Sequence, residues 1–240
     1  MRFLIMIMIS IGCIFGGNLP KGYDTYKDVL YQEIDTVFPE FFIPPYFGGL
    51  IEHESCISLT HSKCWNPKSE LNTKREYAIG FGQITKAYNK DGSLRFDTLT
   101  NLVKSYPREL KGLNWNTVYD RPDLQIRAML LLWKSNYRLF NNKGIDYWDV
   151  VAMSDASYNA GYGNVYKDMQ VCKMKANCNP KIWFGNVNTT CTRNKIIYGD
   201  RSACDIMKHH VDDVLNNKLE KYLDAWTEDD YIHKHKIKTE

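Results

Sequence analysis

The chain has 240 residues, 44% of them hydrophobic, and 31 Lys and Arg against 28 Asp and Glu, a formal net charge of +3. That length suits one domain of ordinary to large size, or one domain with an appendage, and that apolar content can bury a core, so disorder is not the default expectation. A charge so near balance leaves no electrostatic footprint for nucleic acid, and is compatible with an acidic polymer as substrate without demanding one.

Residues 1–17 read MRFLIMIMISIGCIFGG. Arg2 precedes an apolar run from Phe3 to Ile9, shorter than the ~20 residues of a spanning helix and suited to the apolar stretch of a secretory signal. Ser10-Ile11-Gly12 places small residues where a signal peptidase reads, and Cys13 follows. The segment is expected to be a signal peptide. Lipidation at Cys13 or a retained N-terminal anchor are its alternatives. The protein is therefore expected to be exported, to the periplasm or the extracellular space, with membrane anchoring open.

The next elements are mostly helical. Residues 23–38 carry Tyr26, Val29, Leu30, Ile34 and Val37 near helical spacing, ended by Pro39. Pro44-Pro45 suits the first turn of a helix running through Phe47, Leu50 and Ile51 to Glu54. Gly48-Gly49 weakens that helix unless something packs closely on it. Residues 57–76 are polar and read as a loop with at most a short hairpin, and 77–85, YAIGFGQIT, is punctuated by glycine. Residues 99–106 form a short helix before Pro107. Residues 121–140 form the strongest helix, with Leu124, Ala128, Leu131, Leu132 and Leu139 on its buried face. Residues 147–161 are helical, with Gly161 as the C-terminal cap. Residues 165–203 look irregular. Residues 204–229 form an amphipathic helix with Ile206, His210, Val214, Leu219, Tyr222, Leu223 and Trp226 on one face.

Cys56, Cys64, Cys172, Cys178, Cys191 and Cys204 remain after the N-terminal segment. Six cysteines in an oxidising compartment can pair in 15 ways. Cys56 with Cys64 makes an attractive local bridge, and the other four would cross-link the C-terminal third. No Cys-x-x-Cys spacing supports zinc, with His209-His210 the only nearby imidazoles. His53-Glu54 opens like the zinc motif His-Glu-x-x-His, but Ile57 stands where the second His belongs. No metal and no cofactor is expected.

The fold class that follows is mainly α with a small loop or hairpin region and a cysteine-rich insertion before the C-terminal helix. One compact domain is expected over 22–230, acting as a monomer.

Three short stretches carry the chemistry: Ile51-Glu52-His53-Glu54-Ser55, Gly80-Phe81-Gly82-Gln83-Ile84-Thr85, and Ser157-Tyr158-Asn159-Ala160-Gly161-Tyr162-Gly163-Asn164-Val165. Each alone is weak. In this order and at these separations they resemble lytic transglycosylases of the soluble, lysozyme-fold type, which include phage cell-wall enzymes. That family reads Glu-Ser at a helix end, then Gly-Leu-Met-Gln-(Ile/Leu)-(Met/Thr)-Pro, then Ala-Tyr-Asn-Ala-Gly-x-Gly-x-Val. Phe81-Gly82 replaces Leu-Met here, Ser157 replaces Ala, and Tyr162 stands where Pro is common. The motif-bearing part spans 44–166. The resemblance says little of the N-terminal lead or of residues 167–240, the cysteine-rich segment 167–204 included.

The resemblance implies an α+β lysozyme-like fold with Glu54 as the single catalytic acid and base. Its substrate would be the peptidoglycan glycan strand, cut at the MurNAc–GlcNAc β-1,4 bond with formation of 1,6-anhydro-MurNAc. Chemistry agrees: the leaving oxygen needs a proton, and a carboxyl keeps one near neutral pH when desolvated. The substrate's N-acetyl group stabilises the intermediate in that family, so no second carboxylate is required. Ser55 and Gln83 would bind sugar, Tyr158 would orient Glu54, and Asn159 would hold the peptide or N-acetyl side. Glu76 is the rival second carboxylate, set against a loop glutamate paired with Lys74 or Arg75. Glu52, on another helix face, is read as solvated, and His53 has no role. Of Trp65, Trp115, Trp133, Trp148, Trp183 and Trp226, Trp133, Trp148 and Trp226 are assigned to the core, and Trp183 is the candidate cleft wall. The alternatives are a goose-type-like lysozyme hydrolase on the same fold, an inactive peptidoglycan-binding protein, and a zinc peptidase, the last disfavoured by Ile57.

Overall fold

The computed structural model describes residues 18–226. The expected signal segment with Cys13, and the chain end beyond Trp226, lie outside the described residues. Those described are mainly helical, with two small antiparallel sheets.

Helix α1 (Lys21–Val37) buries Tyr23, Leu30, Tyr31 and Ile34. Its Glu33 is buried too, gripped by the Arg127 guanidinium at 2.6 and 2.8 Å. Helix α2 (Tyr46–Ser55) starts directly after Pro44-Pro45, where a missing backbone N–H costs nothing. Its glycine pair has a packing reason. A Cβ on Gly48 would stand 2.5 Å from the ring of Tyr222, so only glycine lets the C-terminal helix come so close.

Residues 57–85 are more ordered than the sequence suggests. Strands β1 (Glu70–Asn72), β2 (Glu76–Ile79), β3 (Ile84–Tyr88) and β4 (Leu94–Asp97) form a four-stranded antiparallel meander in sequence order. Ile79 pairs with Ile84, so residues 80–83 are the turn between β2 and β3. β1 and β4 are short and largely exposed, so no two-residue alternation marks them.

Helix α3 (Thr98–Ser105) is capped by Asp97, which accepts from the Thr100 amide at 2.9 Å. Helices α4 (Pro122–Phe140) and α5 (Tyr147–Ala160) lie within a residue or two of their expected spans. Leu139 is exposed rather than buried, and Phe140 takes the inward place. α5 buries every residue from Val150 to Ser157. A helix buried all round sits in the middle of a domain, and α5 indeed packs between α4 and the two helices that follow.

Gly161 ends α5 at φ +83°, but the chain turns at once into α6 (Tyr162–Met174), inside the stretch read as irregular. The buried positions of α6 are Val165, Asp168 and Cys172. Only one is an ordinary apolar residue, so no hydrophobic stripe announces the helix. The segment 167–204 thus begins as helix and ends in the small hairpin β5 (Ile197–Tyr198) and β6 (Arg201–Ser202). Trp183, expected on a cleft wall, is core at 1% exposure, while Trp148, expected in the core, is 48% exposed.

The cysteines form three local disulfides, Cys56–Cys64, Cys172–Cys178 and Cys191–Cys204. Such short loops are worth about 2–3 kcal/mol each on the chain-entropy account, and the bonds suit an oxidising compartment. Among the described residues no helix is long and apolar enough to cross a membrane.

The C-terminal helix is interrupted. α7 (Ala203–Asp212) opens on a capping box of Ser202 and Asp205, a π-helical turn spans Asp213–Lys218, and α8 (Leu219–Ala225) closes it. The buried stripe runs Cys204, Met207, Val211, Val214 and resumes at Leu219. That five-residue step is the π spacing. It shifts the phase, so Leu223 faces out while Tyr222 is buried.

Candidate active site

Glu54 is the last residue but one of α2, and its side chain is 16% exposed. The helix stops at Cys56, tied to Cys64. Ser55, expected to bind sugar, is buried and spends its hydroxyl on structure. It donates to the Ile51 carbonyl at 2.7 Å and accepts from the Trp65 amide at 3.0 Å. Its own carbonyl accepts from Ser69 Oγ at 3.2 Å, which brings the start of the sheet under the end of α2.

The β2–β3 turn meets α5. The Tyr158 hydroxyl donates to the Gly82 carbonyl at 2.5 Å. A Cβ on Gly82 would lie 2.5 Å from that same hydroxyl oxygen, which accounts for glycine at this place. Gln83 adopts φ +44°, and its amide nitrogen donates to the Gly80 carbonyl at 2.9 Å and the Ser69 carbonyl at 3.3 Å. The amide pins the turn, and its oxygen has no protein partner among the described hydrogen bonds. Asn159 is exposed on the last turn of α5.

Glu54 itself is held by a residue to which the sequence assigns no role. His210 on α7 places Nε2 2.7 Å from Glu54 Oε1 and Nδ1 2.8 Å from Asp155 Oδ2. Asp155, on the buried α5, also accepts from the Tyr46 hydroxyl, which in turn accepts from Trp133 Nε1 at 2.8 Å. A continuous chain of hydrogen bonds therefore runs from the core tryptophan outward to Glu54. Tyr158, expected to orient Glu54, packs beside the His210 ring with centroids 6.4 Å apart, its phenol committed to Gly82.

The electrostatics follow from this geometry. Burial acts against a charge on His210, but Asp155 and Glu54 overcome it and push the imidazole up to about 10. Burial pushes the Tyr158 phenol well up, helped by the charges of Glu54 and Asp155, so it stays a donor. His53 packs on His210 with ring centroids 4.3 Å apart and bonds Asp213 Oδ2 at 2.6 Å. Burial, then the charge on His210, hold the His53 imidazole below its usual range. Burial opposes ionisation of Asp213, yet Lys218 and His53 draw its carboxyl below the usual carboxylate range.

Glu52 is not solvated. It is buried, accepting from Lys221 at 2.7 Å and from the Tyr222 hydroxyl at 2.7 Å. It locks α2 to α8, and Trp65 donates to the same Tyr222 oxygen at 3.0 Å. Glu76 heads β2, paired in register with Ala87. It makes no ion pair with Lys74 or Arg75 among the described residues, and Arg75 lies instead over the ring of Tyr198 at 5.1 Å. Glu76 stands four residues from Gly80, about 13 Å along a strand, at the far end of the hairpin from the turn that touches Tyr158. Among the described residues no group of three or more His, Cys, Asp or Glu is placed to hold a metal.

The sequence did hold a signal for the missed pair. Asp155 sits in VVAMSDAS, an acid within an otherwise apolar helix, and a buried charge needs a partner. His210 lies on the apolar stripe of the last helix. Neither residue announces the other, since they are 55 positions apart. No protein-family model matches this chain, and no curated protein matches it significantly.

Proposed function

We propose that this chain is a peptidoglycan lytic transglycosylase with a lysozyme-like fold, exported to the cell envelope or beyond, in which Glu54 is the acid and base. One observation carries the reading: the three motif stretches, scattered over some hundred residues of sequence, meet. Ser55 reaches Ser69, Ser69 reaches Gln83, Gly82 reaches Tyr158, and Tyr158 flanks the His210 that holds Glu54. Glu54 itself is largely sheltered from solvent at that junction.

In the proposed reaction Glu54 gives a proton to the leaving oxygen O4 as the C1–O4 bond breaks. The C6 hydroxyl of the same MurNAc then bonds to C1, and its proton passes to Glu54. No water is consumed, and the carboxyl ends as it began. The Gln83 amide oxygen and the exposed Asn159 are the polar groups offered to the glycan. The position of Glu76 at the far end of its hairpin supports the single-carboxylate route over hydrolysis.

The test is mass spectrometry of purified peptidoglycan digested by the wild type and by Glu54→Gln. Anhydro products from the wild type alone are the expected result. Products heavier by one water would replace this reading with the hydrolase. Absence of cleavage by the wild type would end it.

A further inference from the structure

His210 is buried and lies between two carboxylates. A carboxylate only accepts hydrogen bonds, and a neutral imidazole has only one N–H to donate. Two bonds of 2.7 and 2.8 Å to carboxyl groups therefore need one extra proton shared among the three. It rests either on Nε2, making the ring an imidazolium between two anions, or on Glu54 Oε1, with the ring neutral and still donating Nδ1–H to Asp155. The two states differ by the transfer of one proton along a single 2.7 Å hydrogen bond.

We propose that His210 is a positioning residue which stores, in its hydrogen bond to Glu54, the proton that Glu54 delivers to the glycosidic oxygen and recovers from the sugar's C6 hydroxyl. This rests on the transglycosylase reading above. The proton moves from Nε2 to Oε1, a half-turn of the Glu54 carboxyl carries that same proton outward to O4, and the C6 hydroxyl proton returns to the pair by the reverse route. Protons balance, and nothing is oxidised or reduced. Asp155 keeps the ring in the tautomer that faces Nε2 toward Glu54, and the Tyr46 hydroxyl holds Asp155 on its other oxygen. The imidazole's high proton affinity, set by those carboxylates against burial, keeps the store filled through neutral pH. The other ionisable groups against the ring are His53 from α2 and Tyr158 from α5, and His53 in turn meets His209 and Asp213 of the C-terminal helix. Burial and the charge on His210 lower the proton affinity of His53, so it is the weaker competitor for the proton.

The experiment compares pH profiles of kcat on purified peptidoglycan for wild type, Glu54→Gln, His210→Gln and Asp155→Asn. Glutamine retains an N–H for Glu54 but cannot release it. The expected loss for His210→Gln is about 100-fold at pH 8, narrowing to under about tenfold at pH 5, where protons from solvent replace the missing store, with KM nearly unchanged. Asp155→Asn should bend the profile in the same direction. Losses equal at both pH values would mark His210 as scaffold and overturn the proposal. A variant that fails to fold is bypassed by nitrogen NMR of the wild type labelled at histidine. Both ring nitrogens of His210 protonated at pH 8 is the expected result, and a neutral ring at pH 6 overturns it. Glu54→Gln should lower the ring's titration, and an unmoved titration overturns the coupling. Wild type that cleaves nothing sinks the functional reading and this inference together. Wild type that cleaves, with Glu54→Gln dead and His210→Gln parallel to wild type, sinks this inference alone.

Discussion

Two acids are completely buried on neighbouring helices, and the molecule treats them differently. Asp168 on α6 is met by Arg193 at 2.8 Å, with Thr192 supplying its amide at 3.1 Å and its hydroxyl at 3.2 Å. Asp155 on α5 is met by His210, which reaches past it to Glu54. Arginine never gives up its proton in a protein, whereas histidine does so readily. The first pair is a closed knot that pins the cysteine-rich segment onto the core. The second is open at one end, toward the surface. On the proposed function, a buried charge becomes chemistry only when its partner can exchange a proton and has a further partner outside.

Four measurements break or sharpen that contrast. The largest effect belongs to the open end: Glu54→Gln should abolish cleavage of peptidoglycan while the fold is kept, at a smaller cost in stability than breaking the closed knot, since Asp155 still holds the imidazole. Next is the closed knot. Asp168→Ala leaves Arg193 charged and buried without its partner and should cost about 3–5 kcal/mol. Thermal unfolding should fall by roughly 10 °C, with turnover kept at low temperature. A variant at 168 that loses activity while stable would erase the distinction.

The third is pH. The His210 imidazole is raised from 6.5 to about 10. Its stabilisation is therefore complete below the unfolded value and lost as pH climbs toward the folded one. Melting temperature should decline from pH 7 to pH 10, by an amount on the order of a few kcal/mol in stability, and His210→Gln should flatten that decline. The smallest effect comes from the bridge beside Glu54. Replacing Cys56 and Cys64 together by Ala should cost about 2.5 kcal/mol on denaturant unfolding. It should slow catalysis more than the equivalent change at Cys172 and Cys178, because Cys56 ends the helix that carries Glu54.

What the sequence makes legible depends on whether a feature leaves a local mark. α4 and α5 are readable because a long apolar stretch bounded by Pro122 or Gly161 fits little besides a buried helix. α6 is not, because its inward face is Val165, Asp168 and Cys172, and its buried charge is satisfied by a residue 25 positions on. Leu223 falls off the predicted stripe because a π turn shifts phase without any signature in residue type. Trp148 and Trp183 exchange their expected places for a similar reason: helical stripe and irregular segment are poor guides to which indole the core needs. The meeting of the three motif stretches is foreshadowed only through resemblance. Their mutual contacts are made by backbone carbonyls and hydroxyls, which no spacing rule records. Ser55 illustrates this, its hydroxyl turned inward to Trp65 rather than out to a ligand.

The bond between Glu54 and His210 joins residues 156 positions apart. Closing so long a loop costs about 4–5 kcal/mol in chain entropy before any contact repays it. That cost falls away if the last helix docks after the rest of the domain has taken shape. A nascent or truncated polypeptide that ends before position 210 holds every motif of the candidate site and still lacks the imidazole that serves it. If the proposed function holds, competence and completion of folding are a single event, and the appearance of activity in a refolding reaction should report the arrival of the C-terminal helix rather than collapse of the core.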